Sequence, residues 1–293
     1  MISNNAFTEK NSLLIVTPAR NESSNLQKLA QSLSAQTSSS VLLWVIVNDG
    51  STDETLSIAE NLVVPFPKVV INRLREGSLI TGAAFAAWWQ GVDSGLALVP
   101  QVRFVMKLDA DVCLETNYFE RLFLNLDQTK LGVLGGVIKG MQREQKTYVP
   151  GPVKMYSRIG LSKVRELPIA TGFDVMDEIL CRSIGLRVEV VSEAKFLMNR
   201  QIGHSQGLLH GRFRNGVVCR WIGYDKVYFI LHAIRYVFRK PYLFGSIWML
   251  IGFMRGGKGP YSPNLRKLHA TMQREKIQLL IKSPVKTLKE LYF

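Results

Sequence analysis

Two carboxylates lie two residues apart at the end of an apolar run, Asp109 and Asp111 in the segment KLDADV. Side chains at positions i and i+2 of an extended chain point to the same side, so this pair can share one hard divalent cation. A cation with so few protein ligands commonly bridges the phosphates of a substrate. The pair can equally cap the turn into a helix predicted to begin near Asn117, so the spacing alone leaves both interpretations open.

Three further carboxylates lie at the end of an apolar run or at the start of a predicted helix. Asp49 ends the apolar run VLLWVIV, where Asn48, Asp49 and Gly50 have the composition of a turn. Asp174 and Asp177 lie one helical turn apart in TGFDVMDEIL. Carboxylates at a helix start either perform chemistry or stabilise the helix N-terminus, and both hypotheses are kept at this point.

The elements that must position these residues alternate between strand and helix. Short apolar runs rich in β-branched residues predict strands at 13–17, 41–47, 68–72, 102–108 and 131–138. Apolar residues at i, i+3, i+4 and i+7 predict helices at 26–33, from 56 to 63, near 79–91 and at 117–126. This alternation predicts a mostly parallel α/β sheet with helices on both faces. Ligands of such sheets bind at the carboxyl ends of the strands, where Asp49, Asp109 and Asp111 are expected.

Three motifs together carry a family resemblance. VTPARNE (16–22), VIVNDGSTDET (45–55) and KLDADV (107–112), in this order, resemble those of the inverting family 2 glycosyltransferases of the GT-A fold. The resemblance implies transfer of a sugar from a nucleotide diphosphate donor, UDP- or GDP-linked, to an acceptor hydroxyl. It also implies a divalent cation, Mn²⁺ or Mg²⁺. In place of the family's commoner Asp the chain has Asn48, while Asp49 keeps its position beside Gly50.

The resemblance also implies roles for individual residues. Residues expected beside the nucleotide are Pro18, Ala19 and Glu22. Asp49 is expected to hydrogen-bond the base, Asp109 to face the ribose and Asp111 to bind the metal. An ionised Asp suits the first role because a base edge that carries N–H needs an acceptor.

The remaining site residues follow from the same resemblance. Asp174 lies 11 residues before Gly185, the distance at which family members place a catalytic Asp before the glycine that ends the helix. We therefore predict Asp174 as the general base, with Asp177 as the second choice. Arg75, together with Arg73, is expected to offer charge to the diphosphate. His204 is a candidate additional metal ligand.

After residue 215 the chain becomes aromatic, apolar and basic. We predict a catalytic domain at 1–215 and a helical extension at 216–293 that associates with a membrane surface. In the extension, His232, Arg235 and Arg239 form a narrow polar stripe on an apolar helix. Such a helix suits the interface of an anionic membrane, and it can alternatively pack on the catalytic domain with the stripe facing water.

Charge and composition restrict the function classes. The chain has 37 Lys and Arg against 23 Asp and Glu, a net charge of +14, which favours anionic ligands or surfaces. Nucleic acid is not expected as a partner because no recognition-helix or RNA-stacking motif is found. Two alternatives remain: a nucleotidyltransferase, although VTPARNESSNL lacks that class's glycine-rich loop, and a non-catalytic basic protein that binds membranes or nucleic acid.

Localisation and acceptor complete the predictions. The first residues lack a signal-peptide pattern, and three widely spaced cysteines suggest no disulfide framework. We therefore expect a cytoplasmic protein, peripheral on the inner face of the cytoplasmic membrane. The expected acceptor is a glycan, carried on a polyprenyl diphosphate, that belongs to the cell envelope or to an exopolysaccharide.

Overall fold

The computed structural model describes residues 11–77, 82–124, 126–141, 147–199, 207–237 and 240–282. In these residues one sheet of eight strands is flanked by helices. The strands are β1 (Leu13–Ala19), β2 (Val41–Asp49), β3 (Lys68–Arg73), β4 (Phe104–Leu108), β5 (Val112–Leu114), β6 (Leu131–Ile138), β7 (Val153–Ser157) and β8 (Arg187–Met198). The helices are α1 (Ser23–Ser34), α2 (Thr55–Asn61), α3 (Ala83–Leu98), α4 (Tyr118–Phe123), α5 (Arg158–Val164), α6 (Phe173–Ser183), α7 (Leu208–Trp221), α8 (Lys226–Val237), α9 (Leu243–Arg255) and α10 (Pro263–Lys282).

The first half of the sheet is parallel. β1 pairs with β2 on one side and with β4 on the other, and β3 pairs with β2. Their apolar runs are continuous because helices cover both faces, and residues 13–16 of β1 are fully buried. The predicted strands in this half begin and end within about two residues of the observed ones.

The second half of the sheet mixes strand directions. β7 is antiparallel to both β4 and β6, β8 is parallel to β6, and β5 is antiparallel to β8. The order across the sheet is β3-β2-β1-β4-β7-β6-β8-β5. The α/β fold class is confirmed, and the parallel arrangement lies in the half that ends at the candidate site.

Helices cover the two faces with separate apolar layers. On one face α1 and α4 bury Leu26 and Phe119, and on the other α3 and α6 bury Trp88 and Phe173. Gly91 lets α3 lie directly on the sheet, because a Cβ there would lie 2.4 Å from Cγ1 of Val16. The predicted placement of helices on both faces is therefore confirmed.

One predicted helix is shorter than its pattern suggested. The expected apolar stripe included Val63, but α2 ends at Asn61 and the Val63 side chain is 92% exposed. The prediction was wrong at this position because Leu62 is already extended, with ψ at 133°.

The last four helices pack on one another and on helix α6. Helices α7 and α9 approach closely through glycine, since a Cβ at Gly216 would lie 1.9 Å from the carbonyl oxygen of Met249. The predicted domain boundary at residue 215 falls inside α7, and the division stays a proposal. Among the described residues, the structure has no helix of the length and apolar character needed to cross a membrane.

One residue of the predicted polar stripe packs against aromatic rings. The ring of His232 packs against Tyr224 and Tyr236, with ring centroids 5.7 and 5.2 Å away. Burial, with smaller contributions from nearby arginines, lowers the pKa of His232 to about 4. His232 is therefore partly buried, whereas Arg235 is exposed and Arg239 lies outside the described residues.

Candidate active site

Three neighbouring parallel strands end at one edge of the sheet and bring their terminal residues together. β1 ends at Ala19, β2 at Asp49 and β4 at Leu108, immediately before Asp109. Ala19 is paired in register with Asn48, so the first two motifs are adjacent. The carboxyl ends of parallel strands form the ligand crevice of an open α/β sheet.

Hydrogen bonds join the loops that follow β1 and β2. The Glu22 amide donates to Oγ1 of Thr55 at 2.8 Å, and its carboxylate accepts from Nδ2 of Asn25 at 2.8 Å. Asn21 has a positive φ of 54°, and its side-chain Oδ1 accepts a hydrogen bond from the Thr52 amide at 2.9 Å. Pro18 is partly buried beside them. The predicted nucleotide residues of the first motif thus line the same loop system as the second motif.

Asp49 is buried and faces two arginines. Its Oδ2 accepts a hydrogen bond from Nη1 of Arg75 at 2.5 Å, and its Oδ1 lies 3.5 Å from Nε of Arg73. Oδ1 receives no hydrogen bond within the described part of the chain. A buried carboxylate oxygen without a donor is costly, so this oxygen suits an N–H group of a ligand.

Both arginines therefore lie at Asp49. The Cβ of Arg75 also packs within 3.1 Å of the position that a Cβ on Gly50 would take. Arg75 was predicted to offer charge to a diphosphate, and in the structure its guanidinium pairs with Asp49. That pairing fixes the orientation of the Asp49 carboxylate and leaves its Oδ1 for a ligand.

Asp109 is partly exposed and pairs with a lysine at the end of the strand that precedes it. Lys107 donates to Oδ1 of Asp109 and, at 3.0 Å, to the carbonyl oxygen of Gly151. Burial raises the pKa of Asp109, Lys107 opposes this rise, and the charges of Asp111 and Asp174 add to it. Asp109 thus lies within the electrostatic influence of the other two predicted carboxylates.

Asp111 is partly exposed, and no described residue donates a hydrogen bond to its carboxylate. Its backbone carbonyl accepts from the Asn199 amide at 2.8 Å, which fixes the loop against the end of β8. An accessible carboxylate without a protein partner has the chemistry of a ligand for a hard cation.

The helix that carries the predicted base begins at a glycine. Gly172, at φ 92°, precedes α6, and Asp174 lies in its first turn. The Asp174 carboxylate is partly exposed, and a Cβ on Gly151 would lie 2.5 Å from its Oδ2. Gly151 therefore leaves room for this carboxylate next to the carbonyl that Lys107 binds.

Asp177, the second candidate for the base, is fully buried in a hydrogen-bonded network. Both of its oxygens lie 3.0 Å from Nζ of Lys154, and Oδ2 accepts from the Tyr156 hydroxyl at 2.6 Å. Lys154 also pairs with Glu178 at 2.8 Å and donates to the backbone carbonyl of Asp174. Burial disfavours the ammonium, but Asp177 and Glu178 outweigh it and raise the pKa of Lys154.

The described residues offer few ligands for a metal ion. In the described part of the chain no group of three or more His, Cys, Asp or Glu side chains can hold one, and His204 lies outside the described residues. An accessible Asp111 beside Asp109 still fits Mg²⁺ or Mn²⁺, because such ions can take most of their ligands from substrate phosphates and water.

Sequence reasoning missed three residues of the site: Lys107, Lys154 and Tyr156. The two lysines are opposite each other in the β4–β7 register and are almost completely buried. A lysine inside an apolar strand was the available signal, since a buried ammonium requires an anionic partner. The partners come from the end of β4 and from α6.

Comparisons with known proteins agree with this architecture. The family model described as Glycosyl transferase family 2 matches residues 14–177. In a sequence comparison with curated proteins, none matches this chain.

Several solved structures share the fold. The mannosyltransferase PcManGT from Pyrobaculum calidifontis, in complex with GDP-Man and Mn²⁺, is 15% identical with a TM-score of 0.54, covering 96% of this chain and 83% of that one. TarS 1-349 of S. aureus with UDP-GlcNAc is 16% identical with a TM-score of 0.54, covering 96% and 90%. Glucosyl-3-phosphoglycerate synthase from Mycobacterium tuberculosis, with Mn²⁺, UDP and glucosyl-3-phosphoglycerate, is 16% identical with a TM-score of 0.51, covering 75% and 83%.

Proposed function

This chain belongs to glycosyl transferase family 2, and we propose that it transfers a sugar with inversion from a nucleotide diphosphate sugar to an acceptor hydroxyl. The observation that carries the proposal is the convergence of Asp49, Asp109, Asp111 and Asp174 at one edge of the sheet. Family membership sets aside the nucleotidyltransferase and the non-catalytic binding protein. The complexes of similar structures with GDP-Man and UDP-GlcNAc support a GDP- or UDP-linked donor.

The nucleoside is proposed to bind at the Asp49 end of the crevice. Oδ1 of Asp49, which no described residue donates to, accepts an N–H of the base, while Arg75 holds the other carboxylate oxygen in place. Pro18, Ala19 and Glu22 form the adjoining wall. Asp109 accepts from the ribose hydroxyls, and Lys107 fixes the orientation of its carboxylate.

The diphosphate is proposed to lie beside Asp111. A divalent cation, Mn²⁺ or Mg²⁺, would be held by Asp111 and would neutralise the charge that develops on the leaving diphosphate. His204 remains a candidate for an additional ligand. Two similar structures were solved with Mn²⁺, which supports the choice of cation.

Asp174 is the proposed general base. As the acceptor oxygen attacks the anomeric carbon, Asp174 takes the hydroxyl proton and the bond to the diphosphate breaks on the opposite face. Its carboxylate is accessible and lies among the other site carboxylates. Asp177 is not proposed as the base, because Lys154 and Tyr156 already bind both of its oxygens out of contact with solvent. It instead holds the start of α6 in place.

The proposed acceptor is an envelope or exopolysaccharide glycan on a polyprenyl diphosphate at the cytoplasmic face of the membrane. The position of the helical extension supports this acceptor. The Tyr261 hydroxyl of the helical extension donates to the carbonyl oxygens of Ala170 and Thr171, 3.0 and 3.2 Å away, directly before α6. The basic, apolar extension thus adjoins the helix that carries Asp174.

A thermal-shift screen tests the proposal. The purified protein is heated with UDP, GDP, CDP and TDP sugars, each in Mn²⁺, Mg²⁺ or EDTA. A donor at about 100 times its Kd stabilises the native state by about 2.7 kcal/mol. We expect a metal-dependent rise in Tm with one nucleotide class, lost in Asp49→Ala, whereas equal melting with every nucleotide sugar would contradict the proposal.

A further inference from the structure

Helix α9 buries three small residues and Met249, and it leaves several large apolar side chains exposed. Gly245, Ser246 and Gly252 are buried, whereas Phe244 is 71% and Met254 76% exposed. The inward positions must be small because a Cβ on Gly252 would lie 2.0 Å from the carbonyl oxygen of Phe213 in α7. Close contact between helix backbones thus leaves the bulk of α9 uncovered.

Helix α8 presents a second stripe of the same character. Ile230, Leu231 and Ile234 are each about half exposed. The two helices are fixed to each other, since the rings of Phe229 and Phe253 stack at 3.9 Å and the Ser246 hydroxyl donates to the Ala233 carbonyl at 2.9 Å. We call the exposed apolar side chains of these two packed helices the apolar face; among them are Ile230, Leu231, Ile234, Phe244, Trp248 and Met254.

The chain around this face is cationic. Residues 226–274 contain nine Lys and Arg and no Asp or Glu. Several cations flank the exposed stripes and are themselves exposed: Lys226, Arg235, Lys240, Arg255 and Lys258. An exposed patch this large, with aromatic residues in it and a cationic border, marks a binding surface.

Two occupants are compatible with an apolar patch, and charge distinguishes them. A second copy would bring an equally cationic, acid-free segment against the first, which like charges oppose. An anionic bilayer offers acyl chains to Phe244 and Trp248 and negative head groups to the flanking cations. We infer that the apolar face of α8 and α9 docks on the surface of an anionic lipid membrane.

The role of this membrane contact in catalysis rests on the proposed function, to which it adds the surface that would bind the membrane. The extension contacts the start of α6 through Tyr261, and Ile222 at the end of α7 packs against Gly172. The extension that carries the apolar face is therefore attached directly to the helix that carries Asp174. Membrane docking itself can be measured without donor or acceptor, so its failure and the failure of sugar transfer are distinguishable.

Vesicle flotation tests the inference. The full chain is mixed with vesicles of phosphatidylcholine alone or with about a third phosphatidylglycerol, at low and at high salt. We expect binding to the anionic vesicles, weakened by salt, and a loss of ~10-fold or more in Phe244→Glu/Met254→Glu. Val63→Glu is the matched control, because Val63 is an exposed apolar residue outside the face, and it should bind like the wild type.

Folding and self-association are checked in parallel. Both substituted residues are exposed, so circular dichroism and Tm should match the wild type. Wild-type protein that stays off anionic vesicles, or a double variant that binds them equally well, would overturn the inference. The inference would also be overturned if sedimentation showed a wild-type dimer that Phe244→Glu/Met254→Glu dissociates, and if the wild-type protein did not bind vesicles.

Discussion

The ammonium nitrogen of Lys154 lies 3.0 Å from both carboxylate oxygens of Asp177, and solvent reaches neither side chain. The same ammonium donates to the backbone carbonyl of Asp174, the residue proposed to take the acceptor proton. One buried lysine thus ties strand β7 to the first turn of α6. Through Lys154, the buried carboxylate of Asp177 helps to position Asp174, whose carboxylate is partly exposed.

Removal of Lys154 should destabilise the fold. In Lys154→Met the buried carboxylates of Asp177 and Glu178 lose their shared cation, and loss of one partner of a buried pair costs about 3–5 kcal/mol. Urea unfolding measures this cost. The triple variant Lys154→Met/Asp177→Asn/Glu178→Gln should recover part of the lost free energy of unfolding. A loss below about 1 kcal/mol in Lys154→Met would contradict the assigned role.

The roles of the two aspartates of α6 should separate in kinetics and stability. Asp174→Asn should lower turnover by about 10²–10⁴-fold, measured as nucleoside diphosphate release, because the acceptor proton loses its base. Donor affinity and Tm should be retained, since no described residue bonds its carboxylate. Asp177→Asn should instead lower Tm. Wild-type turnover in Asp174→Asn would refute the assignment of the base.

Asp49 should control nucleoside binding and not phosphate binding. Hydrogen bonds to a charged group contribute about 1.5–3 kcal/mol, so Asp49→Ala should weaken a bound nucleoside diphosphate by about 10-fold or more. Inorganic pyrophosphate is the control ligand, and its affinity should not fall because the proposed diphosphate site at Asp111 is unchanged. Calorimetric titration compares the two ligands, and equal losses for both would argue against base recognition by Asp49.

Asp53 gives a pH-dependent prediction in the loop after β2. Slight burial opposes ionisation, but hydrogen bonds from Thr55 and Ser23 lower the pKa of Asp53 to about 2. A group with a lowered folded pKa stabilises the fold above its unfolded pKa of 3.8, and this contribution disappears as pH falls through about 2. Asp53→Ala should therefore lower Tm at pH 7, and the difference from wild type should shrink from pH 4 to pH 2. Melting curves across this range measure it, and a Tm difference that grows towards acid pH would contradict the sign.

Much of the fold could be predicted because its signals are local. The buried runs of β1 and β2 are continuous in sequence, and the stripe through Leu26 and Leu33 repeats within α1. β7 was not predicted, because Lys154 and Ser157 interrupt its short apolar pattern. Lysine becomes acceptable there only through partners more than 20 residues away in α6, and a local pattern cannot show such contacts.

The candidate site divides in the same way. Asp49, Asp109 and Asp111 were found because each ends a strand in a motif of recognisable composition. The resemblance ranked Asp174 above Asp177, but the difference in burial between the two could not be predicted, since both lie on the same face of one helix. It depends on which carboxylate the sheet covers, and the helix spacing does not reveal that.

The most direct measurement is calorimetric titration with the nucleoside diphosphate selected by the thermal-shift screen, in Mn²⁺ and in EDTA. Metal-dependent binding is predicted for the wild type, with retention in Asp174→Asn and loss in Asp111→Asn, because Asp111 is the proposed protein ligand of the cation. Wild-type affinity in Asp111→Asn, or the same affinity in EDTA, would contradict the proposed donor site.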